Sequence, residues 1–342
     1  MYQNSTKLLF LFTMTTGVII TLSANSWFSA WMGLEINLLS FIPLLSSSQE
    51  MMTNEAALKY FLIQAIASST LLFLIIIKMN TSEMFHFNDL NLWNNLLLAP
   101  LFMKIAAAPF HWWLPAVIEG LTWKNTFIIL SIQKIAPLIL ISYLLVNSFF
   151  TQTMIILSAL IGAIGGFNQI STRKILSFSS INHIGWMLAA TMMGTNFWIL
   201  YFIIYTINLI ALIPMFSFNN LTFITQTFTS LNYMKISKII LFISLLSLGG
   251  LPPFMGFFPK WMIIYVLIQN FTIPTCLILI FSSLITLFYY MRIMYTTLMI
   301  TNAEVNWLIF QPAKFYLPKY MLMSLSMTLL GMLICTMILT NF

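Results

Sequence analysis

The fourth long apolar run of the chain contains Pro109-Phe110-His111-Trp112-Trp113-Leu114-Pro115. The ninth contains Pro253-Phe254-Met255-Gly256-Phe257-Phe258-Pro259, 144 residues further on. Both stretches begin with Pro-Phe and end on a proline after four more residues. A proline removes a backbone donor and clashes with the preceding turn, and unwound backbone at membrane depth persists only where protein or water covers it. We therefore predict two broken helices, with breaks marked by Pro109, Pro115, Pro253 and Pro259.

The composition around these breaks is that of a membrane protein. Of 342 residues, 60% are hydrophobic and only 6% are charged, which excludes a soluble domain. One crossing takes about 20 apolar residues, so we predict an all-α polytopic membrane protein with about 11 transmembrane helices. The predicted spans are residues 8–23, 26–46, 55–78, 92–119, 122–146, 149–169, 173–193, 196–217, 236–270, 272–299 and 319–341.

The position of the two breaks predicts an internal repeat. They fall in the fourth and ninth spans. Because successive spans cross the membrane in alternating directions, two spans that are five apart run in opposite directions. We therefore expect one membrane domain over 1–342, built from two inverted five-helix repeats at about 8–146 and 149–299 and an extra helix at about 319–341. Secondary transporters use this architecture, and their broken helices mark the ion path.

The basic residues predict the orientation of the chain. Most lie at span ends on the same side as the N-terminus: Lys7, Lys59, Lys124, Arg173, Lys174, Lys235, Lys238, Arg292, Lys314 and Lys319. By the positive-inside rule, that side faces the compartment of synthesis. The 24 methionines fit a mitochondrial genome, and no cleavable signal stands out. We therefore expect the mitochondrial inner membrane, with the N-terminus in the matrix and the C-terminus in the intermembrane space. The basic residues form no stripe for nucleic acid.

Two charges in the first half of the chain lie inside predicted spans. A charge in hydrocarbon costs about 3 kcal/mol on insertion scales, so such residues usually face a partner or a wet cavity. Glu35 lies near the centre of the second span, and Lys104 precedes the first break by five residues. Because Glu35 is the only carboxylate predicted at mid-membrane depth, we expect it to pair with Lys104. An inert buried ion pair is the alternative, although such pairs are seldom worth much as stabilisers.

Two further lysines extend the set. Lys134 lies twelve residues into the fifth span, with no acid nearby in sequence. A buried amine of this kind can take up and release a proton. Lys260 directly follows the second break, where loosened backbone can admit water. For Lys260 the alternative is a side chain that snorkels from a helix end to the membrane surface.

His111 and His183 complete the titratable residues inside the spans, and both are candidates for an accessory proton relay. A hydrogen-bonded core histidine is the alternative for each. Cys276 and Cys335 are too few for an iron–sulfur cluster or a cysteine-only zinc site. Since lysines repel metal cations and a cation cage needs several oxygen ligands, the set favours protons.

With these residues assembled, the chain resembles the chain 2 family of NADH–ubiquinone oxidoreductase, mitochondrial respiratory complex I, of the insect type. The resemblance covers nearly the whole length. The most specific stretches are Trp31 to Asn37, Lys104 to His111, Gln133 to Pro137, Phe178 to Trp186, Gly249 to Phe254 and Pro259 to Trp261.

The resemblance implies an antiporter-like core subunit of a proton-pumping membrane arm. It maps the paired acid and lysine to Glu35 and Lys104, the central relay lysine to Lys134, and the lysine towards the outer half-channel to Lys260. It also implies that flavin, iron–sulfur clusters and ubiquinone are handled by other subunits, with no cofactor or metal in this chain. The implied partners are other membrane-arm subunits, accessory subunits and membrane lipids.

Two other functions stay open at this point. One is a free-standing cation/proton antiporter, which would work alone and depend on a cation. The other is a non-translocating structural membrane subunit, in which buried charges could be exchanged for apolar residues without loss of activity. A seven-helix receptor fits poorly, because the predicted spans number about 11.

Overall fold

The computed structural model describes residues 2–46, 50–84, 90–218, 221–227 and 235–299, together with Ser326. The described part of the chain is helical apart from short connections. Its main helices are α1 Tyr2–Leu22, α2 Trp27–Leu45, α3 Met51–Met84, α4 Leu90–Ile105, α5 Trp113–Gly120, α6 Trp123–Leu130, α7 Ile132–Leu144, α8 Phe149–Phe167, α9 Thr172–Met193, α10 Thr195–Phe218, α11 Lys235–Gly249, α12 Phe257–Gln269 and α13 Ile273–Met299.

Seven helical segments among the described residues are long and apolar enough to cross a membrane. They are Ser5–Leu22, Trp27–Leu45, Met51–Asn80, Trp123–Leu144, Phe149–Phe167, Thr195–Phe218 and Ile273–Tyr295. This confirms a polytopic, all-α membrane protein. The predicted span 319–341 lies outside the described residues, except for Ser326.

Helix α9 corresponds to the predicted span 173–193 but is not among those seven segments. Its sequence carries Arg173 and Lys174 at the start and a polar strip that includes Ser179, Ser180 and Asn182. Ser179, Ser180 and Asn182 are buried inside the protein. A helix enclosed by other helices needs no apolar surface towards lipid, which explains why hydropathy alone undervalues α9.

The described chain divides into two compact units, Met1–Ser158 and Ala159–Phe342. In the first unit, α2 packs on both α1 and α3, and α4 packs on α3 and α7. Side chains tie these helices together: the Trp31 indole donates to the Ser68 carbonyl at 3.1 Å, and the Asn125 amide donates to the Leu44 carbonyl at 3.0 Å. In the second unit, α9, α11 and α12 pack on α10, and α11 and α12 pack on α13.

The first predicted break lies between α4 and α5. Ala106 adopts a left-handed backbone conformation, with φ of 66°. The Ala107 amide then donates to the Phe102 carbonyl at 3.0 Å, which closes the end of α4. Helix α5 begins at Trp113, and Pro115 lies in its first turn, where a missing backbone donor costs nothing.

The second break, between α11 and α12, repeats this geometry 144 residues later. Gly250 has φ of 80°, the Leu251 amide donates to the Leu246 carbonyl at 3.3 Å, and α12 begins at Phe257 with Pro259 in its first turn. Each of these positions is the counterpart of one in the first break. The helical structure is therefore interrupted at both stretches where the sequence predicts a break. In both, the helix ends before the prolines, at the left-handed residue.

The fifth predicted span, 122–146, matches the membrane-spanning segment Trp123–Leu144, which contains an interruption that the sequence does not predict. Ser131 separates α6 from α7, with φ of −115° and ψ of −82°. Its hydroxyl donates to the Phe127 carbonyl at 2.6 Å, so a side chain competes with the backbone for the helix hydrogen bonds. The interruption places Lys134 in the first turn of α7.

Candidate functional site

A buried cavity in the first unit brings two of the predicted lysines together. Its polar lining residues are Asn37, Tyr60, Gln64, Lys104, Gln133 and Lys134, and its apolar lining residues are Leu34, Leu38, Ile105, Trp113, Leu114, Ile129 and Pro137. We call it the lysine cavity. Its volume is about 20 Å³, measured as the space that the centre of a water-sized sphere can reach. By that measure about 10–15 Å³ holds one water molecule, so the cavity can be wet.

Three uncharged side chains of the lysine cavity form a hydrogen-bonded chain across three helices. The Gln133 amide of α7 donates to the Asn37 side-chain oxygen of α2 at 3.0 Å. The Tyr60 hydroxyl of α3 donates to the Gln133 side-chain oxygen at 3.3 Å. All three residues have partners far away in sequence. Their bonds hold α2, α3 and α7 in register around the two lysines.

Lys104 lies in the last turn of α4 and is 7% exposed. The break leaves carbonyl groups at the end of α4 without helical donors. Side chains supply two donors: the Gln64 amide bonds the Lys104 carbonyl at 3.3 Å, and the Trp113 indole bonds the Met103 carbonyl at 3.1 Å. The end of α4 is thus fixed by uncharged groups, which leaves the Lys104 amine available to the cavity.

Glu35 interacts electrostatically with Lys104. It is half-buried on α2 and is not one of the residues that line the lysine cavity. Within the described residues, Glu35 and Lys104 form no ion pair at the 4.0 Å limit, whereas exposed Lys59 and Glu55 do, at 3.6 Å. The pairing of Glu35 with Lys104 therefore stays a prediction.

Lys134 is 2% exposed and lies on α7 next to Gln133. Its amide donates to the Ser131 carbonyl at 3.1 Å, so the unpredicted interruption of the fifth span sets its position. The structure brings Lys134 and Lys104 to one cavity, which the sequence did not reveal. Its lining carries two amines that can exchange a proton and neutral amides and a hydroxyl that can orient water.

His111 lies inside the first break and is 3% exposed. Its Nδ1 is 3.2 Å from the Pro109 carbonyl oxygen, and its ring lies 4.7 Å from that of Trp112. It is not among the residues that line the lysine cavity. These contacts fit a hydrogen-bonded core histidine, and the accessory relay role of His111 stays a prediction.

In the second unit, Lys260 closes the second break. It lies in the first turn of α12 and is 6% exposed. Its amine donates to the Gly249 carbonyl at 2.9 Å and to the Leu248 carbonyl at 3.4 Å, at the end of α11. The amine also lies 5.8 Å from the centre of the Trp186 ring. A side chain with these contacts points into the protein, which disfavours the snorkelling alternative.

His183 lies beside a second, smaller cavity of about 10 Å³ by the same measure. We call it the histidine cavity, and its lining residues are His183, Tyr201, Ile204, Tyr205, Asn208, Ser247, Leu248, Gly256 and Pro259. The Nδ1 atom of His183 is 2.8 Å from the Tyr201 hydroxyl. The ring of Tyr205 is 5.0 Å from the imidazole. His183 therefore belongs to a buried polar cluster of the second unit.

Comparison with known proteins matches the sequence of this chain to a protein family. The family model described as NADH:quinone oxidoreductase/Mrp antiporter, transmembrane region, matches residues 24–286. The protein named NADH-ubiquinone oxidoreductase chain 2 of Anopheles gambiae is 46% identical, over 88% of each chain. The protein of that name from Aedes aegypti is also 46% identical, over 96% of this chain and 97% of that one. The chain belongs to the NADH-ubiquinone oxidoreductase chain 2 family.

The fold of this chain 2 family member is also found in solved structures. A chain of respiratory complex I from Thermus thermophilus with bound aureothin has a TM-score of 0.82 and 21% identity, covering 97% of this chain and 79% of that chain. The broken helices and the cavities described above thus lie in a fold that recurs at low identity. Among the residues described here, no group of three His, Cys, Asp or Glu is placed to hold a metal ion.

Sequence reasoning missed the uncharged members of the two cavities. Tyr60 and Gln64 lie four residues apart on α3, and Tyr201 and Tyr205 do so on α10, so each pair shares one helix face. Two polar residues four apart inside an apolar span are the sequence signal that indicates a polar cavity lining. The titratable residues indicate the candidate site in the sequence, and the amides and hydroxyls complete it.

Proposed function

We propose that this chain works as a core membrane subunit of a proton-pumping NADH:ubiquinone oxidoreductase in the mitochondrial inner membrane. Membership of the chain 2 family and the membrane-spanning helices support this proposal. Its partners are the other membrane-arm subunits, accessory subunits and lipids of the complex. Flavin, iron–sulfur clusters and ubiquinone belong to those other subunits, and this chain carries out no redox chemistry.

One observation carries the proposed mechanism: Lys104 and Lys134 line the same cavity, which is large enough for water. A water molecule there bridges the two amines, and the chain of Tyr60, Gln133 and Asn37 orients it. A proton then passes from Lys104 to Lys134 without crossing hydrocarbon. The side chains of Tyr60, Gln133 and Asn37 remain uncharged throughout. Only the two lysine amines change their protonation state during the transfer.

Glu35 supplies the control of this step. Two opposite unit charges about 4 Å apart interact by about 4 kcal/mol at an effective dielectric constant of about 20. A signal from a neighbouring subunit that widens the gap between Glu35 and Lys104 therefore weakens the hold of Lys104 on its proton. A signal that narrows the gap restores it.

The later steps rest on the family resemblance. We propose that Lys134 passes the proton on towards Lys260 and the outer half-channel, with His111 and His183 as accessory groups. The burial of Lys260 and His183 among polar partners supports their inclusion. We also propose that the two breaks belong to inverted five-helix repeats over about 8–146 and 149–299, with the N-terminus in the matrix and the C-terminus in the intermembrane space. The matching geometry of the breaks supports the repeat.

A free-standing cation/proton antiporter is the main rival, because the matching family model includes Mrp antiporters. Among the described residues, those lining the lysine cavity include two lysines and no carboxylate. Sodium and potassium prefer several oxygen ligands and are repelled by ammonium groups. The chemistry of the cavity therefore favours protons as the transported ion.

An ion-replacement experiment on the assembled complex separates these two functions. The complex is reconstituted in proteoliposomes, and NADH-driven acidification is followed with a pH-sensitive dye. We expect the same proton transfer per NADH when all sodium and potassium are replaced by choline. A loss of acidification in choline that is restored by sodium or potassium would show cation antiport and contradict the proposal.

A further inference from the structure

The end of α11 is held by a cation from the helix that follows it. The last carbonyl groups of a helix lack intrahelical donors, and positive charge is favourable there because of the helix dipole. The Lys260 amine meets both needs by bonding the carbonyls of Leu248 and Gly249. Lys260 itself lies in the first turn of α12, where its own helix dipole disfavours a cation. The positive charge of the Lys260 amine is therefore more favourable at the end of α11 than at the start of its own helix.

The space that the Lys260 side chain occupies is next to Gly250. A Cβ atom on Gly250 would lie 2.9 Å from the Lys260 Cδ and 3.0 Å from its Nζ. Lys260 is also enclosed on other sides, since its amine lies near the buried ring of Trp186. We infer that Gly250 is a positioning residue for Lys260, because its missing Cβ lets the lysine amine reach the carbonyls that end α11.

The first break provides an internal comparison. Ala106 is the counterpart of Gly250, and it adopts the same left-handed conformation with φ of 66° although it carries a Cβ. Ala106 is fully buried. There the carbonyl of Lys104, the counterpart of the Leu248 carbonyl, is bonded by the Gln64 amide and not by a lysine. The left-handed turn thus accepts alanine at a cost in backbone strain, and the space taken by Lys260 adds a steric reason for the glycine in the second break.

The expected effect on proton-coupled turnover rests on the proposed relay role of Lys260. The close approach of the Lys260 side chain to Gly250 does not depend on that role. A misplacement of about 1 Å in a reacting group can cost about a hundredfold in rate. We therefore expect the Gly250→Ala variant to lower proton-coupled turnover per assembled complex by about tenfold, with an unchanged KM for NADH. A merely structural role would lower the amount of complex and leave the turnover of each assembled complex as in the wild type.

The matched control is Gly249→Ala. A Cβ at Gly249 would meet Leu287 and Tyr290 at 3.7 Å, an ordinary van der Waals distance. We expect a wild-type thermal midpoint of the assembled complex from this neighbouring variant, so a lower midpoint confined to Gly250→Ala is not due to adding a methyl group to the end of α11.

A double-mutant cycle with Lys260→Ala tests the contact directly. The thermal midpoint of the assembled complex is measured for Gly250→Ala, Lys260→Ala and the double variant. We expect Gly250→Ala to lower the midpoint clearly when Lys260 is present and much less when it is replaced, since only the cost of the left-handed turn then remains. Equal shifts in both backgrounds, or normal turnover of Gly250→Ala, would overturn the inference. Full pumping by Lys260→Ala alone would instead refute the relay role of Lys260, while the cycle still decides the positioning role.

Discussion

The Lys134→Met variant assembles into the complex and loses the proton pumping that depends on this subunit. Methionine nearly matches the length of lysine, and replacing buried charged groups by well-packed apolar ones is often neutral for stability. Lys134 is 2% exposed and lines the lysine cavity together with Lys104. Removing a positioned acid–base group costs about 100- to 10,000-fold in the rate of proton transfer. We expect the proton yield per NADH to fall by the share that this subunit pumps.

The measurement is NADH-driven acidification of proteoliposomes, normalised to the amount of assembled complex. The matched control is Lys59→Met, which makes the same change at an amine whose side chain is 53% exposed and paired with Glu55. Such a surface pair contributes about 0.5 kcal/mol, so the control should pump like the wild type. Normal pumping by assembled Lys134→Met would support the structural-subunit alternative and refute the relay.

The second large effect is on assembly. We expect the Gly256→Ala variant to accumulate almost no assembled complex. An added Cβ would lie 1.7 Å from the carbonyl oxygen of Ser247 and 2.8 Å from its carbonyl carbon. Ser247 is fully buried in α11, and Gly256 precedes the first residue of α12. Relief requires a shift of helix backbone, so we expect a cost above about 3 kcal/mol, the upper range for overpacking.

Native electrophoresis of solubilised membranes measures this loss as the fraction of the subunit in the full complex. Gly249→Ala is again the control, because its added methyl group meets only side-chain atoms at 3.7 Å. Wild-type amounts of assembled Gly256→Ala would mean that the close contact between α11 and the start of α12 is absent in the complex.

The breaks were predictable from sequence because prolines act locally. The two Pro-Phe stretches lie in the fourth and ninth predicted spans, and each indicates an interruption of its helix. They did not indicate that each helix ends at a left-handed residue before the prolines, Ala106 or Gly250. The interruption at Ser131 was missed, since it involves neither proline nor glycine and depends on a serine hydroxyl that bonds the preceding turn.

The candidate site was predictable in its charges and not in its geometry. Glu35, Lys104 and Lys134 stand out because charge is costly in an apolar span. Their shared surroundings depend on hydrogen bonds between residues far apart in sequence, such as Gln133 with Asn37 and Tyr60. Such contacts depend on how α2, α3 and α7 cross, which single-sequence patterns do not specify. For the same reason, the gap between Glu35 and Lys104 could not be foreseen.

The central claim is that water in the lysine cavity joins Lys104 to Lys134. The most direct measurement is a map of the assembled complex at a resolution that shows ordered water. We predict at least one water within hydrogen-bonding distance of both lysine amines, held by side chains of the Tyr60, Gln133 and Asn37 chain. A cavity filled by apolar side chains or lipid, with the two amines separated and dry, would contradict the account.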